Sequence, residues 1–325
     1  MRLRQALFFH GIGRGKAWNR QLLEAIKAIV IERQPSLNLR KLHRITVGFD
    51  LNAMLHEHGA SLKRSAAFHR SRSQDSHVGS AGCVVGAMRD DRYVSLVFLD
   101  ATYLADLVDK PQTEGVASNI ATHELAHVAL NHWQTQPSSA HVFPTRDPDW
   151  RYEVLRFLTL NLWDEYAACR LSARFGDPVA VASNFAGCLR CKTADLPTLR
   201  LYTRKDWRAT SAIKTFVQAV AAAREPLLSA AYLMGHLDGL GAAVSIEDLC
   251  PSARRSPLNV CWSVLRQELR LLWQRYEPNF TFDMLDGLVP VLMEAVKICG
   301  GRRMFIDMHS TADLAGDSLF CTYDA

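Results

Sequence analysis

The chain has 325 residues, 48% apolar and 22% charged, with a formal net charge of +5. This is the composition of a globular protein long enough for one large core or two domains. No apolar run approaches the roughly 18–20 residues of a membrane span, and the apolar run in Met1 to His10 is too short for a secretory signal. The eight cysteines are too scattered for a disulfide framework. A reducing cytoplasm and no membrane partner are expected.

Residues 1–80 form a basic N-terminal region, with 14 Lys and Arg against 5 Asp and Glu, a net of +9, and six of the 12 histidines. Within it, Gly11-Ile12-Gly13-Arg14-Gly15-Lys16 lacks a convincing preceding strand and phosphate-loop spacing, and reads as a turn. Residues 17–33 read as an amphipathic helix ending before Pro35, Arg44 to Asp50 as a strand, and Leu51 to Glu57 as a helical turn. The densest basic segment, Lys63 to Ser73, reads as a solvated loop, with nucleic acid as a partner it could contact through phosphates.

Cys83 to Gly86 and Val94 to Leu99 read as β structure, and Tyr103 to Asp109 as a short helix. Val94–Leu99 is the candidate to line a cleft and pair with an extended peptide.

The next helix carries the strongest signal, His123-Glu124-Leu125-Ala126-His127. With 12 His and 12 Glu in the chain, about 0.02 such H-E-x-x-H motifs are expected by chance. Positions i and i+4 share a helix face, so both imidazoles can reach one Zn²⁺. Glu124 then lies beside the metal, placed to take a proton from metal-bound water. Val116, Ile120, His123, His127 and Leu130 form one stripe, with Ser118 or Asn119 as candidate cap.

A catalytic zinc site needs a third protein ligand. A second helix, from about Trp150 to Phe175, offers one. Asp147 or Asp149 can cap it, and Gly176 and Pro178 end it. Glu165 lies on its stripe with Leu158, Leu162, Ala168 and Ser172, which favours it as ligand over the neighbouring Asp164. His132 and His141, near the loop between the two helices, and Tyr166 are candidates to stabilise an oxyanion. Cys169, Cys83 or another cysteine could close the open metal position as a latency switch, since thiolates bind zinc well, and nothing in the sequence picks one.

The pair H-E-L-A-H and, 38 residues later, E-Y-A-A-C-R-L-S-A resembles the ImmA/IrrE-type metallopeptidases, which are gluzincin-like. Cys169 stands where that family commonly has Asn or Asp, and Ala126 where it has Gly. The resemblance implies a zincin core, with His123, His127 and Glu165 as zinc ligands and Glu124 as general base. It implies a protein or peptide substrate such as a DNA-binding repressor.

Cys188-Leu189-Arg190-Cys191 is an isolated C-x-x-C without a second pair. A domain boundary is expected within 177–204, dividing a catalytic core over 81–180 from a helical domain over 205–325. In the latter, segments 206–224, 226–238, 256–276 and 281–299 read as helices, the third with an apolar stripe of Leu265, Leu269, Leu272, Trp273 and Tyr276. The expected fold is α+β, a zincin-like core with a small sheet followed by a helical C-terminal region. The expected function is zinc-dependent peptide hydrolysis. The alternative is a nucleic-acid-responsive regulatory protein with a structural or degenerate zinc site.

Overall fold

The computed structural model describes residues 7–11, 13–61, 70–72, 81–89, 92–110, 115–130, 150–206, 212–276 and 280–300. The fold is α+β, mostly helical with one small mixed sheet. The sheet has five strands, β1 (Leu7–Phe9), β2 (Leu42–Gly48), β3 (Arg70–Arg72), β4 (Gly82–Arg89) and β5 (Arg92–Asp100), in the order β1-β2-β5-β4-β3. β1, β2 and β5 are parallel, whereas β4 pairs antiparallel with both β5 and β3.

Side chains alternate across a strand, and here the alternation separates two cores. Ile45, Val47, Val84, Val97 and Leu99 face α1 (Lys16–Arg33) and α5 (Val116–Leu130). Cys83, Val85, Ala87, Leu96 and Phe98 face the other way, onto Leu51 and Met54 of α2 (Leu51–Ser61). α1 contributes Leu22, Ile26, Ile29, Val30 and Arg33 at helical spacing. Two short helices, α3 (Ala101–Leu104) and α4 (Asp106–Asp109), lead from β5 towards α5.

Beyond α5 the described chain is helical. It comprises α6 (Trp150–Ser172), α7 (Pro178–Asp206), α8 (Ala212–Gly239), the short α9 (Ile246–Leu249) and α10 (Pro251–Arg255), α11 (Asn259–Arg275), a 3₁₀ turn over Phe282–Leu288, and α12 (Val289–Gly300). A large core joins these elements and includes Ala126 and Leu130 of α5. α5 therefore belongs to both halves. Ala121, Leu125 and Val128 face the sheet side, while Ala126 and Leu130 face the helices. Every residue from Ala121 to Leu130 is buried. Among the described residues no helix is long and apolar enough to cross a membrane.

Several expectations change. The glycine-rich turn does follow a strand, β1, whose three residues are too few for a periodicity signal. Arg70–Arg72 is the edge strand β3 rather than loop, while the remainder of Lys63–Ser73 lies outside the described residues. Val94–Leu99 is central, hydrogen-bonded to β2 and β4, so it has no free edge for a peptide. The expected boundary within 177–204 is occupied by one helix, α7. The helices expected over 206–224 and 226–238 are the single helix α8, which tolerates Pro226 internally. Asp147 and Asp149, the candidate caps of α6, lie outside the described residues.

Two contacts fix α6 relative to its neighbours. Asn119 lies inside α5, and its Nδ2 donates to the Ser172 and Phe175 carbonyls at 3.0 and 3.1 Å, satisfying acceptors at the α6 C-terminus. Ser118 also lies inside the helix, its carbonyl accepting from the Thr122 hydroxyl at 2.8 Å. Gly235 of α8 lies so close to the Tyr166 carbonyl that a Cβ there would collide with α6 backbone. This close approach carries α8 to the side of α6 that faces the H-E-x-x-H motif.

Candidate metal centre

α5 and α6 bring His123, His127 and Glu165 together in a buried group that could hold a metal ion. The His127 Nε2 lies 3.1 Å from the His123 Nε2 and 3.4 Å from the Glu165 Oε2, and the His123 Nε2 lies 3.1 Å from the same oxygen. Three donors about 2.0–2.1 Å from a common centre at tetrahedral angles stand about 3.3 Å apart. The triangle thus has the size that a four-coordinate zinc requires, with one position left over. The His123 side chain is 10% exposed, against 1% and 4% for His127 and Glu165, so the group meets solvent on the His123 side.

The choice between the two acids resolves geometrically. Glu165 points its carboxylate into the triangle, whereas Asp164 Oδ2 lies 3.0 Å from the other ring nitrogen of His127, Nδ1. A carboxylate there fixes tautomer and ring orientation and raises ligand basicity. One helix therefore places one carboxylate in the triangle and another behind the His127 ring, from adjacent residues. The His123 Nδ1 meets the Cys169 Sγ at 3.6 Å. Cys169 thus occupies the equivalent orienting position for His123, behind the ring and away from the triangle. It does not point to the open metal position, and Cys83 lies on the sheet face turned towards α2. Neither cysteine is placed to be a latency switch.

Glu124 is buried beside the group. Burial raises its carboxyl above the usual range, opposed by His127 and His123 and reinforced by Glu165 and Asp164. Its side chain lies over the start of β4, where a Cβ at Gly82 would sit 2.6 Å from the Glu124 Cδ and 2.7 Å from its Oε1. Only glycine leaves room for the acid in this position. Burial would also raise Glu165, but charge on His127 and hydrogen bonds from His123 and His127 hold it low. Burial lowers the His127 imidazole, yet Asp164 and Glu165 outweigh this and hold it well above an ordinary histidine. Three carboxyl groups around two imidazoles thus create a buried demand for positive charge.

One group was not anticipated from sequence. Tyr232 of α8 stacks on Phe185 with ring centroids 5.4 Å apart and lies 6.0 Å from the His123 ring. Its hydroxyl is buried without a well-formed hydrogen bond among the described residues. Burial first, then Glu165, Cys169 and Glu124, hold the phenol well above its usual range. No local motif marks Tyr232, and only the close packing of α8 on α6 brings it in. Of the anticipated oxyanion donors, Tyr166 points elsewhere, donating to the Asp238 Oδ2 at 2.8 Å. His132 and His141 lie outside the described residues. Cys188 and Cys191 lie on α7, half-buried and exposed, and join no metal-type cluster among the described residues.

No known protein family, curated protein or solved structure matched the chain.

Proposed function

We propose that the protein is a zinc-dependent metallopeptidase. The observation that carries this reading is the donor triangle of His123, His127 and Glu165, sized for a tetrahedral ion with a position to spare. His123 Nε2, His127 Nε2 and Glu165 Oε2 would hold the zinc, which when bound polarises a carbonyl and lowers the pKa of its water.

The surrounding residues have separable tasks. The Glu124 carboxylate accepts a proton from the attacking water and returns it to the leaving amine. Its burial beside the donor triangle keeps it within reach of that water. Asp164 keeps the His127 ring oriented. The Tyr232 hydroxyl, buried beside Glu165 and the His123 ring, serves as donor to a developing oxyanion. Peptide as substrate, and a regulatory DNA-binding protein as its source, rest on the resemblance of the two motif helices to ImmA/IrrE-type peptidases.

The test is metal content together with cleavage of an unstructured protein such as casein. The wild type should carry about one zinc per chain, and Glu124→Gln should retain it. Cleavage by that variant should fall by about 10²–10⁴-fold, the usual contribution of a general base. A zinc-loaded Glu124→Gln protein with undiminished cleavage would overturn the assignment, as would a wild type that takes up no metal.

A further inference from the structure

The side of α6 next to the candidate metal centre holds a second charged cluster, of opposite sign. Asp238 of α8 is buried, with 2% of its side chain exposed. Arg266 donates to its Oδ1 from Nε at 3.1 Å and from Nη2 at 2.6 Å. Arg270 donates to Oδ2 from Nε at 2.9 Å and to Oδ1 from Nη2 at 2.7 Å. Arg170 joins through the Tyr166 hydroxyl, to which its Nη1 donates at 2.6 Å, and its guanidinium lies 4.6 Å from the Trp273 ring. Two guanidinium groups thus bind one carboxylate, and a third stands beside it through the Tyr166 hydroxyl. A structural ion pair would be complete with one of them, and the remainder is a fixed excess of two positive charges.

These side chains line an open cleft of about 590 Å³, together with Gln274 and the chain at Gly241 to Ala243. The volume lies in the range of small-molecule sites, about 300–1,000 Å³. The carboxylate and the tyrosine hold the guanidinium planes in place, while each arginine keeps N–H groups in excess of these bonds. An oriented guanidinium fork matches the oxygens of a phosphate. A second cleft, of about 560 Å³, shares Arg266, Arg270 and Gln274 with the first and is bordered by the Glu247 carboxylate, so the excess of positive charge is concentrated in the first.

We propose that this cleft binds a small phosphate-bearing anion, with the phosphate among Arg170, Arg266 and Arg270. The site is independent of the metal centre and does not require the peptidase reading.

The test is calorimetric titration of the full chain with adenosine 5′-monophosphate and with inorganic phosphate, at ionic strength held constant with sodium chloride. Saturable binding of both is expected, since the arginines recognise the phosphate group they share. Arg270→Gln should weaken it at least tenfold. That variant also disturbs the Asp238 ion pairs, so Gln274→Glu provides the cleaner comparison. Gln274 is exposed and adds negative charge to the cleft without touching them, and this change too should weaken binding at least tenfold. His123→Ala should leave it unchanged, which separates this site from phosphate capture at the metal centre. Heat no greater than for chloride alone, binding indifferent to Gln274→Glu, or binding lost in His123→Ala would each overturn the proposal.

Discussion

α6 presents two charged faces about one residue apart around its axis. Glu165 and Cys169, with Asp164 beside them, face α5, where three carboxyl groups meet two imidazoles. Tyr166 and Arg170 face α8 and α11, where three arginines meet one aspartate. Each cluster is partly buried and internally hydrogen-bonded, yet neither is neutral. Uncompensated buried charge is costly. The sign of each imbalance is the basis of the two proposals, a cation on the first face and an anion on the second.

The largest effect that could break this contrast is on the acidic face. Glu165→Gln removes a direct donor and should reduce bound metal from about one per chain to nearly none, by elemental analysis after dialysis. Asp164→Asn removes only the group orienting His127, and should keep the metal while lowering its affinity by about 10–100-fold. Equal losses in the two variants would mean that the helix supplies both acids as donors, contrary to the distances at the two His127 nitrogens.

On the basic face the sharpest variant is Asp238→Asn, read by chemical denaturation across pH. Burial would raise the Asp238 carboxyl, but hydrogen bonds from Arg270, Arg266 and Tyr166 hold it below the ordinary range. A carboxyl depressed in the folded state contributes stability that is complete above its unfolded pKa of about 3.9 and is lost as pH falls through the folded value. The variant should therefore be less stable than the wild type by about 3 kcal/mol near pH 7, the low end of the range for removing one partner of a buried pair. The gap should hold down to about pH 5 and close below about pH 4. A gap unchanged at pH 3 would show that the loss comes from packing rather than from charge.

The two faces also differ in how far the sequence reveals them. Local signals carry the acidic face. H-E-x-x-H fixes two donors by helical spacing alone, and the apolar stripe through Leu158, Leu162 and Ala168 selects Glu165 over Asp164. Amphipathic α1 and the strand patterns of β2, β4 and β5 are legible in the same way. The basic face is divided among Tyr166 and Arg170 of α6, Asp238 of α8, and Arg266 and Arg270 of α11; i,i+4 spacing puts each pair on one helix face, but the cluster exists only because the three helices meet. Tyr232 is hidden for the same reason. The central position of Val94–Leu99 follows from strand order, which a strand's own pattern does not encode. Within 177–204, Pro178, Gly187, Pro197 and the C-x-x-C suggest interruption, yet α7 runs through all of them; Pro178 is its first residue, where a missing N–H costs nothing.

The smallest effect concerns Cys169, and it tests how much of the acidic face works by charge. Most orienting partners of a metal-binding histidine are carboxylates or carbonyls. Here the His123 Nδ1 meets a thiol, whose ionisation is suppressed by burial and by Glu165 and Glu124. With Nε2 turned to the metal, Nδ1–H can only donate to a weak neutral acceptor, so the thiol should fix the ring while adding little to its basicity. Cys169→Ser substitutes another neutral acceptor and should change metal affinity less than about tenfold in a competition titration with a chromophoric chelator. Cys169→Asp should strengthen metal binding if its carboxylate reaches Nδ1, as Asp164 does for His127. A loss of about 100-fold or more in Cys169→Ser would instead make the sulfur a participant in the metal's own charge balance, and the acidic face would then rest on four negative groups rather than three.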